Sequence, residues 1–257
     1  MEQPVYIVTG SSAGIGQACA ERLARARARI VINYASRQAE AEAVGRQCRA
    51  LGGDAIVMQA DVADDVQCNQ LVQAAVDAWG RVDGLVNNAG TTRFARHHDL
   101  DALQAEDFHA IFDVNVIGAY QMTRAVAPVM EVQGRGSVVN ISSIAGLRGV
   151  GSSIAYAASK GALNTMTLSL ARALGPAIRV NAVCPGFVET GWLKAGLGDA
   201  YEKQRAAHVA TNPLQDVVQP DDVAEMVEWL LTGAPKTTGE AILVDGGMHL
   251  GAGGGRR

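Results

Sequence analysis

The chain has 257 residues, a formal net charge of −4, 48% hydrophobic residues and 19% charged residues. This composition excludes a disordered chain and predicts a globular protein with a sizeable core. The basic residues are scattered, no uncharged apolar stretch reaches membrane length and the amino terminus lacks a basic leader, so we expect a cytoplasmic protein without nucleic-acid or membrane partners.

Short apolar runs alternate with longer amphipathic stretches along the chain. The short runs predict buried strands at 5–9, 30–33, 55–59, 85–87, 138–141, 180–183 and 242–244. The amphipathic stretches predict helices at 14–28, 38–50, 64–79, 108–130, 153–174 and 221–231. Alternating strands and helices require right-handed crossovers. The sequence therefore predicts one α/β domain over 1–250: a doubly wound, seven-stranded, mostly parallel sheet with helices on both faces.

Two segments do not follow this alternation. The region from about 187 to 213 looks irregular, yet it contains Trp192, Leu193, Leu197 and Tyr201, more apolar residues than a connector needs. It is either a lid over a binding cleft or a surface excursion whose apolar residues pack on the body. Residues 251–257 include four glycines and predict a flexible tail.

The residues that most often bind metals do not form a recognisable metal motif. The cysteines, Cys19, Cys48, Cys68 and Cys184, lie far apart without a Cys-x-x-Cys pair, so we expect isolated core or surface residues rather than a zinc site or disulfides. His97 and His98 adjoin Asp99 but have no third ligand at a useful spacing, so no metal is expected. Together with Arg93 and Arg96, the histidines could instead recognise an anionic group on a substrate.

A glycine-rich turn joins the first predicted strand to the first predicted helix. Gly10 permits a sharp turn, Gly14 lets the backbone approach a pyrophosphate, and Gly16 lets the helix lie close to the strand. The spacing is Gly-x-x-x-Gly-x-Gly rather than Gly-x-Gly-x-x-Gly, and glycines also mark ordinary tight turns. In its strand-turn-helix context the segment nevertheless favours dinucleotide binding in a Rossmann fold. The predicted phosphate-binding residues are Gly10, Ser11, Ser12, Ala13, Gly14, Ile15 and Gly16.

The end of the second predicted strand bears on the choice of dinucleotide. An acidic residue there binds the ribose 2′-hydroxyl of NAD, whereas an arginine accommodates the 2′-phosphate of NADP. The strand ends at Tyr34 and is followed by Ser36 and Arg37, with no carboxylate. We therefore expect NADP, with NAD still possible, because Arg37 could equally be a solvated residue of the next helix.

A tyrosine and a lysine lie four residues apart in the helical segment 153–174. Tyr156 and Lys160 would share one helix face. Ser143 precedes Tyr156 by 13 residues, just past a strand, and Asn115 lies within the preceding long helix. Taken singly, these residues could be a core aromatic, a cap or a buried amide that satisfies the backbone.

In this arrangement the sequence resembles the short-chain dehydrogenase/reductase family, in its single-domain subgroup, over nearly the whole chain. The matching motifs are 9–16, 61–62, 87–90, 115–118, 142–143, 156–160, 181–186 and 244–247. The resemblance implies a catalytic tetrad of Asn115, Ser143, Tyr156 and Lys160, with Asn115 bending its helix and anchoring a water. It also implies that Asp61 and Val62 face the adenine and that Lys160 holds the nicotinamide ribose. Val188 and Thr190 would hold the nicotinamide amide. Further residues implied to border the cofactor are Asn88, Ala89, Gly90, Pro185 and Gly186.

The tetrad also makes chemical sense. Hydride transfer to a carbonyl builds negative charge on oxygen, which needs hydrogen-bond donors and then a proton. Ser143 and Tyr156 can supply both. The ordinary pKa of a phenol is near 10, so a nearby cation is needed to favour the phenolate, and Lys160 fits that need.

The predicted function is NAD(P)-dependent oxidation and reduction of a small ketone or secondary alcohol, foremost as an NADPH-dependent carbonyl reductase. Alternatives are a 3-oxoacyl thioester reductase, a non-catalytic dinucleotide-sensing regulator, and a nucleotide-sugar epimerase or dehydratase, which normally needs a longer chain. Segments 131–134 and 175–177 lack the basic residues typical of carrier-protein docking, although Arg135 and Arg172 are nearby. Within the family, the chain is most similar to the 3-oxoacyl-ACP reductases and sugar dehydrogenases. The resemblance also implies a homotetramer or homodimer.

Overall fold

Seven strands form one parallel sheet in the computed structural model, which describes residues 3–251. The strands are β1 (Val5–Val8), β2 (Arg29–Tyr34), β3 (Asp54–Gln59), β4 (Gly84–Asn87), β5 (Gly136–Ile141), β6 (Ile178–Pro185) and β7 (Ala241–Val244). They pair in parallel in the order β3-β2-β1-β4-β5-β6-β7. The order reverses between β1 and β4, and in such sheets ligands bind outside the carboxyl ends of the strands at this point. The predicted doubly wound fold is confirmed.

Residues 3–251 contain ten α-helices, most of which pack on the sheet. They are α1 (Gly14–Arg25), α2 (Gln38–Ala50), α3 (Asp65–Trp79), α4 (Ala105–Phe112), α5 (Ala119–Gln133), α6 (Ala145–Arg148), α7 (Ile154–Leu174), α8 (Gly191–Leu197), α9 (Tyr201–Thr211) and α10 (Pro220–Thr232). The Asp64 carboxylate caps α3 by accepting from the Val66 and Gln67 N–H groups. Helix α1 ends three residues before its predicted end, because Arg27 adopts a left-handed backbone with φ of 61°.

The alternation of side chains along β1 shows how the core is divided. Tyr6 and Val8 contribute to one apolar cluster, together with residues of α1, α2 and α10. Val5 and Ile7 contribute to the other, together with residues of α3, α5 and α7. Both faces of the sheet are therefore buried, as a parallel sheet requires. The four cysteines are buried and free, as expected of core residues.

The helix predicted at 108–130 is interrupted. A π-helical turn, Asp113–Gly118, lies between α4 and α5. The periodicity continues through this turn because the chain stays helical on both sides. Such turns inside α-helices are frequent at functional sites, and this one contains Asn115.

The expectation of an irregular region at 187–213 is wrong. Most of it forms α8, a 3-10 turn at Gly198–Ala200, and α9. Helix α8 has only seven residues, and Gly198, with φ of 51°, separates it from α9, so neither helix offers a long periodic pattern. A small cluster of its own, centred on Phe187, Tyr201 and Val217, packs this region.

Two further predictions concern membrane-spanning helices and the carboxyl-terminal tail. Within residues 3–251 no helix is long and apolar enough to span a bilayer. The predicted flexible tail, 251–257, falls outside the described residues except for Gly251.

Candidate active site

A cleft of about 1330 Å³ opens at the carboxyl ends of the strands. Pockets for one small ligand are typically about 300–1,000 Å³, so the cleft has room for a dinucleotide and a second molecule. It is lined by most residues that the sequence singled out: Gly10, Ser12, Ala13, Gly14, Ile15, Tyr34, Ser36, Arg37, Asp61, Val62, Asn88, Ala89, Gly90, Ser143, Tyr156, Lys160, Pro185, Gly186, Val188 and Thr190. Ser11, Gly16 and Asn115 are the exceptions, and all three are buried behind the cleft wall.

The glycine-rich turn presents backbone N–H groups to this cleft. Gly10 and Gly14 both have left-handed backbones, with φ of 60° and 59°. Ala13 is the N-cap of α1 and its side chain makes no capping hydrogen bond, so the N–H groups of the first helical turn have no side-chain acceptor. A helix N-terminus of this kind binds anions such as phosphate.

Asn33, at the end of β2, holds the glycine-rich turn in place. Its buried Oδ1 accepts from the Gly10 N–H at 2.9 Å, and its Nδ2 donates to the Ala60 carbonyl oxygen at 3.0 Å. On the other side of the turn, Asn88 Nδ2 donates to the carbonyl oxygens of Thr9 and Gly10 at 2.9 and 3.0 Å. The turn is thus bonded to Asn33 of β2 and to Asn88 after β4, and Asn33 links it to the residue that follows β3.

Gly16 allows α1 to approach this turn closely. A Cβ at Gly16 would lie 2.4 Å from Asn88 Nδ2 and 2.7 Å from the Gly10 carbonyl oxygen. Such distances are far below van der Waals contact. Only glycine therefore fits here without moving the backbone of the turn.

The adenosine side of the cleft is polar and has no carboxylate on β2. Ser36 and Arg37 follow the strand and are exposed. Arg37 makes no ion pair within residues 3–251. Asp61, at the end of β3, turns its Oδ1 to the Ala63 N–H at 3.0 Å. A guanidinium is therefore free to bind an anionic group at this end.

Tyr156 and Lys160 lie one turn apart near the start of α7. The Ser153 side chain caps this helix by accepting from the Tyr156 N–H at 3.2 Å. Lys160 Nζ lies 5.7 Å from the centroid of the Tyr156 ring and donates to the Ile141 carbonyl oxygen at 2.8 Å. The ammonium therefore sits beside the phenol ring and is fixed by the end of β5.

Ser143 reaches the same phenol from the loop after β5. Its Oγ accepts from the Ala145 N–H at 3.1 Å, in the short helix α6. Burial raises the pKa of the Tyr156 phenol, and the neighbouring Ser143 hydroxyl lowers it by a smaller amount. Both side chains line the cleft.

The pKa values of the tyrosine and lysine differ from the simple expectation. Burial raises the pKa of Tyr156 to about 12, and burial lowers the pKa of Lys160 to about 8. Lys160 was expected to favour the phenolate, but its ammonium is directed at a carbonyl oxygen, and in this closed environment the loss of water outweighs its attraction. In the chain alone, Tyr156 is therefore a protonated phenol at neutral pH.

Asn115 connects the π-helical turn to α7, the helix that carries Tyr156 and Lys160. Its Oδ1 accepts from the Thr91 N–H at 2.8 Å, and its Nδ2 donates to the Thr91 carbonyl oxygen and to Ser159 Oγ, both at 3.0 Å. Ser159 Oγ in turn donates to the Tyr156 carbonyl oxygen at 2.7 Å. A Cβ at Gly90 would lie 3.4 Å from Asn115 Oδ1 and 3.7 Å from Lys160 Nζ, so both side chains approach the same glycine.

Helices α8 and α9 form the outer side of the cleft. Trp192, Leu193 and Leu197 of α8 line it, as does His208 of α9. Arg96, His97 and His98 also line it, whereas Arg93 pairs with Asp107 at 2.7 Å. Within the described residues, no group of three His, Cys, Asp or Glu side chains could hold a metal ion.

Sequence reasoning did not identify Asn33, Ser159 or Phe94 as parts of the site. The role of Asn33 could have been inferred from its place at the end of a buried strand, because a buried polar side chain must find hydrogen-bond partners. Ser159 lies between Tyr156 and Lys160 and looks like an ordinary helix residue. Phe94 follows β4 in a segment without regular structure, and nothing in its surroundings marks it.

The sequence is similar to those of several known proteins. Residues 10–249 match the sequence model of a family described as "Enoyl-(Acyl carrier protein) reductase". A protein of Streptomyces violaceoruber assigned as ketoacyl reductase 2 of the granaticin polyketide synthase is 47% identical over 97% of both chains. A 3-oxoacyl-[acyl-carrier-protein] reductase of Synechocystis is 38% identical over 96% of this chain and 97% of its own.

The fold has a counterpart among solved structures. A crystal structure from Burkholderia xenovorans, assigned as a short-chain dehydrogenase/reductase, superposes with a TM-score of 0.91 at 41% identity. The match covers 98% of this chain and 100% of that one.

Proposed function

Because the chain belongs to the short-chain dehydrogenase/reductase family, we propose that it is an NADPH-dependent carbonyl reductase acting through Ser143, Tyr156, Lys160 and Asn115. Family membership makes it an oxidoreductase acting on alcohol or ketone groups. The finer assignment is carried by one observation: the Ser143 and Tyr156 hydroxyls and the Lys160 ammonium converge on the cleft into which the glycine-rich turn opens.

When bound, the nicotinamide supplies the hydride. Ser143 and Tyr156 hydrogen-bond the substrate oxygen, and Tyr156 donates the proton as negative charge develops there. The raised pKa keeps this phenol protonated at neutral pH, and the Lys160 ammonium at 5.7 Å stabilises the phenolate left behind. In alcohol oxidation the same groups accept the proton.

Asn115 is the positioning residue of this set. It touches neither the cleft nor the phenol hydroxyl, and its contacts tie the Thr91 backbone to α7 through Ser159. Asn115 therefore fixes the distance between the loop after β4 and the helix that carries Tyr156 and Lys160.

The cleft fits a dinucleotide. The uncapped N-terminus of α1 and the glycine-rich turn suit a pyrophosphate. Asp61 and Val62 line the same cleft and would pack against the adenine. At the other end, Pro185, Gly186, Val188 and Thr190 line the cleft near the catalytic residues, so we assign them to the nicotinamide. Lys160 also lines the cleft and would bind the adjoining ribose.

The preference for NADPH rests on Ser36 and Arg37. The Arg37 guanidinium is exposed and forms no ion pair with any residue from 3 to 251, so it suits the 2′-phosphate, and the Ser36 hydroxyl adds a hydrogen bond. We expect Arg37→Ala to lower kcat/KM with NADPH at least tenfold and to change kcat/KM with NADH less than threefold. Ser36→Asp should reverse the preference, since its carboxylate binds a free ribose and repels the phosphate. Equal losses with both cofactors would contradict this assignment.

The activity itself is tested by following absorbance at 340 nm with NADPH and a panel of ketones and 3-oxoacyl thioesters. We expect turnover by the wild type, and a loss of at least a hundredfold in kcat for Ser143→Ala with cofactor affinity retained. A wild-type protein that binds NADPH but turns over no member of the panel would favour the non-catalytic regulator.

Reduction of a 3-oxoacyl thioester is the second candidate, favoured by the names of two relatives. Carrier-protein docking has less support. Arg135 directly precedes β5 and lines a pocket at the amino ends of the strands, opposite the cleft. Arg172 lies 16 residues beyond Tyr156 on α7, about 24 Å along the helix axis. We therefore expect a free thioester such as acetoacetyl-N-acetylcysteamine to be reduced at least as well as the carrier-bound form.

We also propose that the enzyme is a homotetramer or homodimer. Ile117, Tyr120 and Val132 around α5, and Ile154 and Leu168 on α7, are exposed apolar side chains that an interface between copies would cover. Light scattering coupled to gel filtration measures the mass directly. A cytoplasmic location belongs to the same proposal, since thiols such as the four free cysteines remain reduced there.

A further inference from the structure

Three aromatic rings form a wall on the substrate side of the cleft. This aromatic wall consists of Phe94, Trp192 and Tyr156. The Trp192 ring lies 5.6 Å from the Phe94 centroid and 6.2 Å from the Tyr156 centroid, tilted by 52° and 44°. Trp192 thus stands between the proton donor and the outer part of the cleft.

Phe94 is held in the aromatic wall by contacts with the loop before α7 and with the backbone of α8. The loop carrying Phe94 is bonded to the loop before α7, because the Ala95 N–H donates to the Ser152 carbonyl oxygen at 2.9 Å. A Cβ at Gly196 would lie 2.0 Å from the Phe94 ring, so this ring rests directly on the backbone of α8. Gly196 follows Trp192 by one helical turn and therefore shares its face.

Trp192 keeps 43% of its surface exposed despite these two neighbours. Because it lines the cleft, its exposed surface is available to a molecule bound against Tyr156. A large aromatic surface beside a reacting group gains most from another flat ring, through apolar contact and offset or edge-to-face packing. A saturated ring of the same size gains the apolar contact but not the packing between π-systems.

We propose that the substrate is a ketone, or the corresponding secondary alcohol, borne on a flat aromatic ring system that packs against Trp192. The inference rests on the proposed function, since the carbonyl oxygen must reach Tyr156 and Ser143. Tyr156 would give its proton to the carbonyl oxygen while the carbonyl carbon receives the hydride that bound NADPH would supply. The products would be the secondary alcohol and NADP⁺, and the Tyr156 phenolate would regain its proton from water. Trp192 is the specificity-determining residue for the ring.

The test compares two ketones of equal ring number: 1-tetralone, which contains an aromatic ring, and 1-decalone, which is saturated. Steady-state kcat and KM with NADPH are measured for the wild type, Trp192→Ala and Trp192→Phe. We expect Trp192→Ala to lower kcat/KM for 1-tetralone about tenfold, mainly through KM, and to lower the value for 1-decalone less than threefold. Trp192→Phe, which restores a ring, should recover most of the loss.

Trp229 provides the matched control. It lies on α10, is 45% exposed and does not line the cleft, so Trp229→Ala should leave kcat/KM for both ketones unchanged. Unchanged binding of NADPH to all variants shows that they are folded. Turnover of both ketones with equal losses in Trp192→Ala would overturn the aromatic-ring inference while leaving the carbonyl reductase proposal intact. Failure of the wild type to reduce 1-tetralone while it reduces another ketone or a 3-oxoacyl thioester would overturn the aromatic-ring inference alone, whereas failure with the whole panel would overturn both.

Discussion

The pKa of Lys160 gives a prediction that depends on neither substrate nor cofactor. Burial lowers this pKa from 10.5 to about 8, so the folded protein stabilises a neutral amine that the unfolded chain protonates. Below pH 8 both states carry the proton and the folded state bears the cost of a buried charge. Between about pH 8 and 10.5 only the unfolded state binds the proton, so the free energy of unfolding increases with pH.

Lys160→Met removes this group while keeping a long, apolar side chain. One pKa unit corresponds to about 1.4 kcal/mol, so the shift amounts to about 3 kcal/mol in full and roughly 2 kcal/mol between pH 7.5 and 10. We expect the free energy of unfolding of the wild type, relative to Lys160→Met, to increase by that amount over this range. The lost hydrogen bond to the Ile141 carbonyl oxygen adds only a constant offset.

Urea denaturation of the cofactor-free proteins at several pH values measures the difference. Burial raises the pKa of Tyr156 to about 12, so this phenol stays protonated in both folded proteins up to pH 10. The shifts of Cys19, Cys48 and Cys68 do not involve Lys160, so the titration of these thiols cancels in the comparison. The charge of Lys160 does act on Cys184, so both proteins carry Cys184→Ala. Lys203→Met on α9 is the matched control, because it makes the same substitution at a side chain that is exposed to water. Parallel stability curves for the wild type and Lys160→Met, within about 0.5 kcal/mol, would refute the burial of a titrating amine.

Three further substitutions test the supports of the site. Asn33→Ala leaves the Gly10 N–H and the Ala60 carbonyl oxygen without their partner. We therefore expect the free energy of unfolding to fall by about 1–3 kcal/mol and NADPH binding to weaken. NADPH binding as tight as that of the wild type would contradict this role of Asn33. Gly16→Ala places a Cβ 2.4 Å from Asn88 Nδ2, so calorimetry should show at least a tenfold rise in the Kd of NADPH, and an unchanged Kd would show that the turn can yield. Ser159→Ala removes the link from Asn115 to α7, so kcat should fall severalfold with the Kd of NADPH unchanged, whereas a fall in both would indicate general disruption.

The parts of the fold that local sequence determines could be predicted. β-branched runs such as 138–141 mark buried strands because these residues pack well in a parallel sheet. Asp64 and the glycines of the first turn act through the backbone beside them, so their positions indicate where helices begin. Helices α8 and α9 escaped prediction because they are short and pack on a small separate cluster, which weakens their periodicity.

In the candidate site, too, contacts within one helix could be predicted from the sequence, whereas contacts between distant segments could not. The spacing of Tyr156 and Lys160 places both on one helix face, and that much follows from the sequence. The direction of the Lys160 ammonium does not, because its acceptor is the Ile141 carbonyl oxygen on a strand 19 residues away. Likewise, Asn33 acquires its role only when the ends of β1, β2 and β3 meet, and the wall of Phe94 and Trp192 forms only when α8 covers the cleft.

The most direct test of the proposed reaction is the single-turnover rate of Tyr156→Phe with bound NADPH and a ketone that the wild type reduces. The substitution removes only the phenol hydroxyl, so the ring contact with Trp192 and the position of Lys160 should persist. We predict that the Kd of NADPH stays within about twofold and that the rate of reduction falls by at least a thousandfold, because general acid catalysis contributes about 10²–10⁴ and Tyr156 also helps to hold the oxygen. A variant that binds NADPH normally and retains more than a tenth of the wild-type rate would contradict the assignment of Tyr156 as the proton donor.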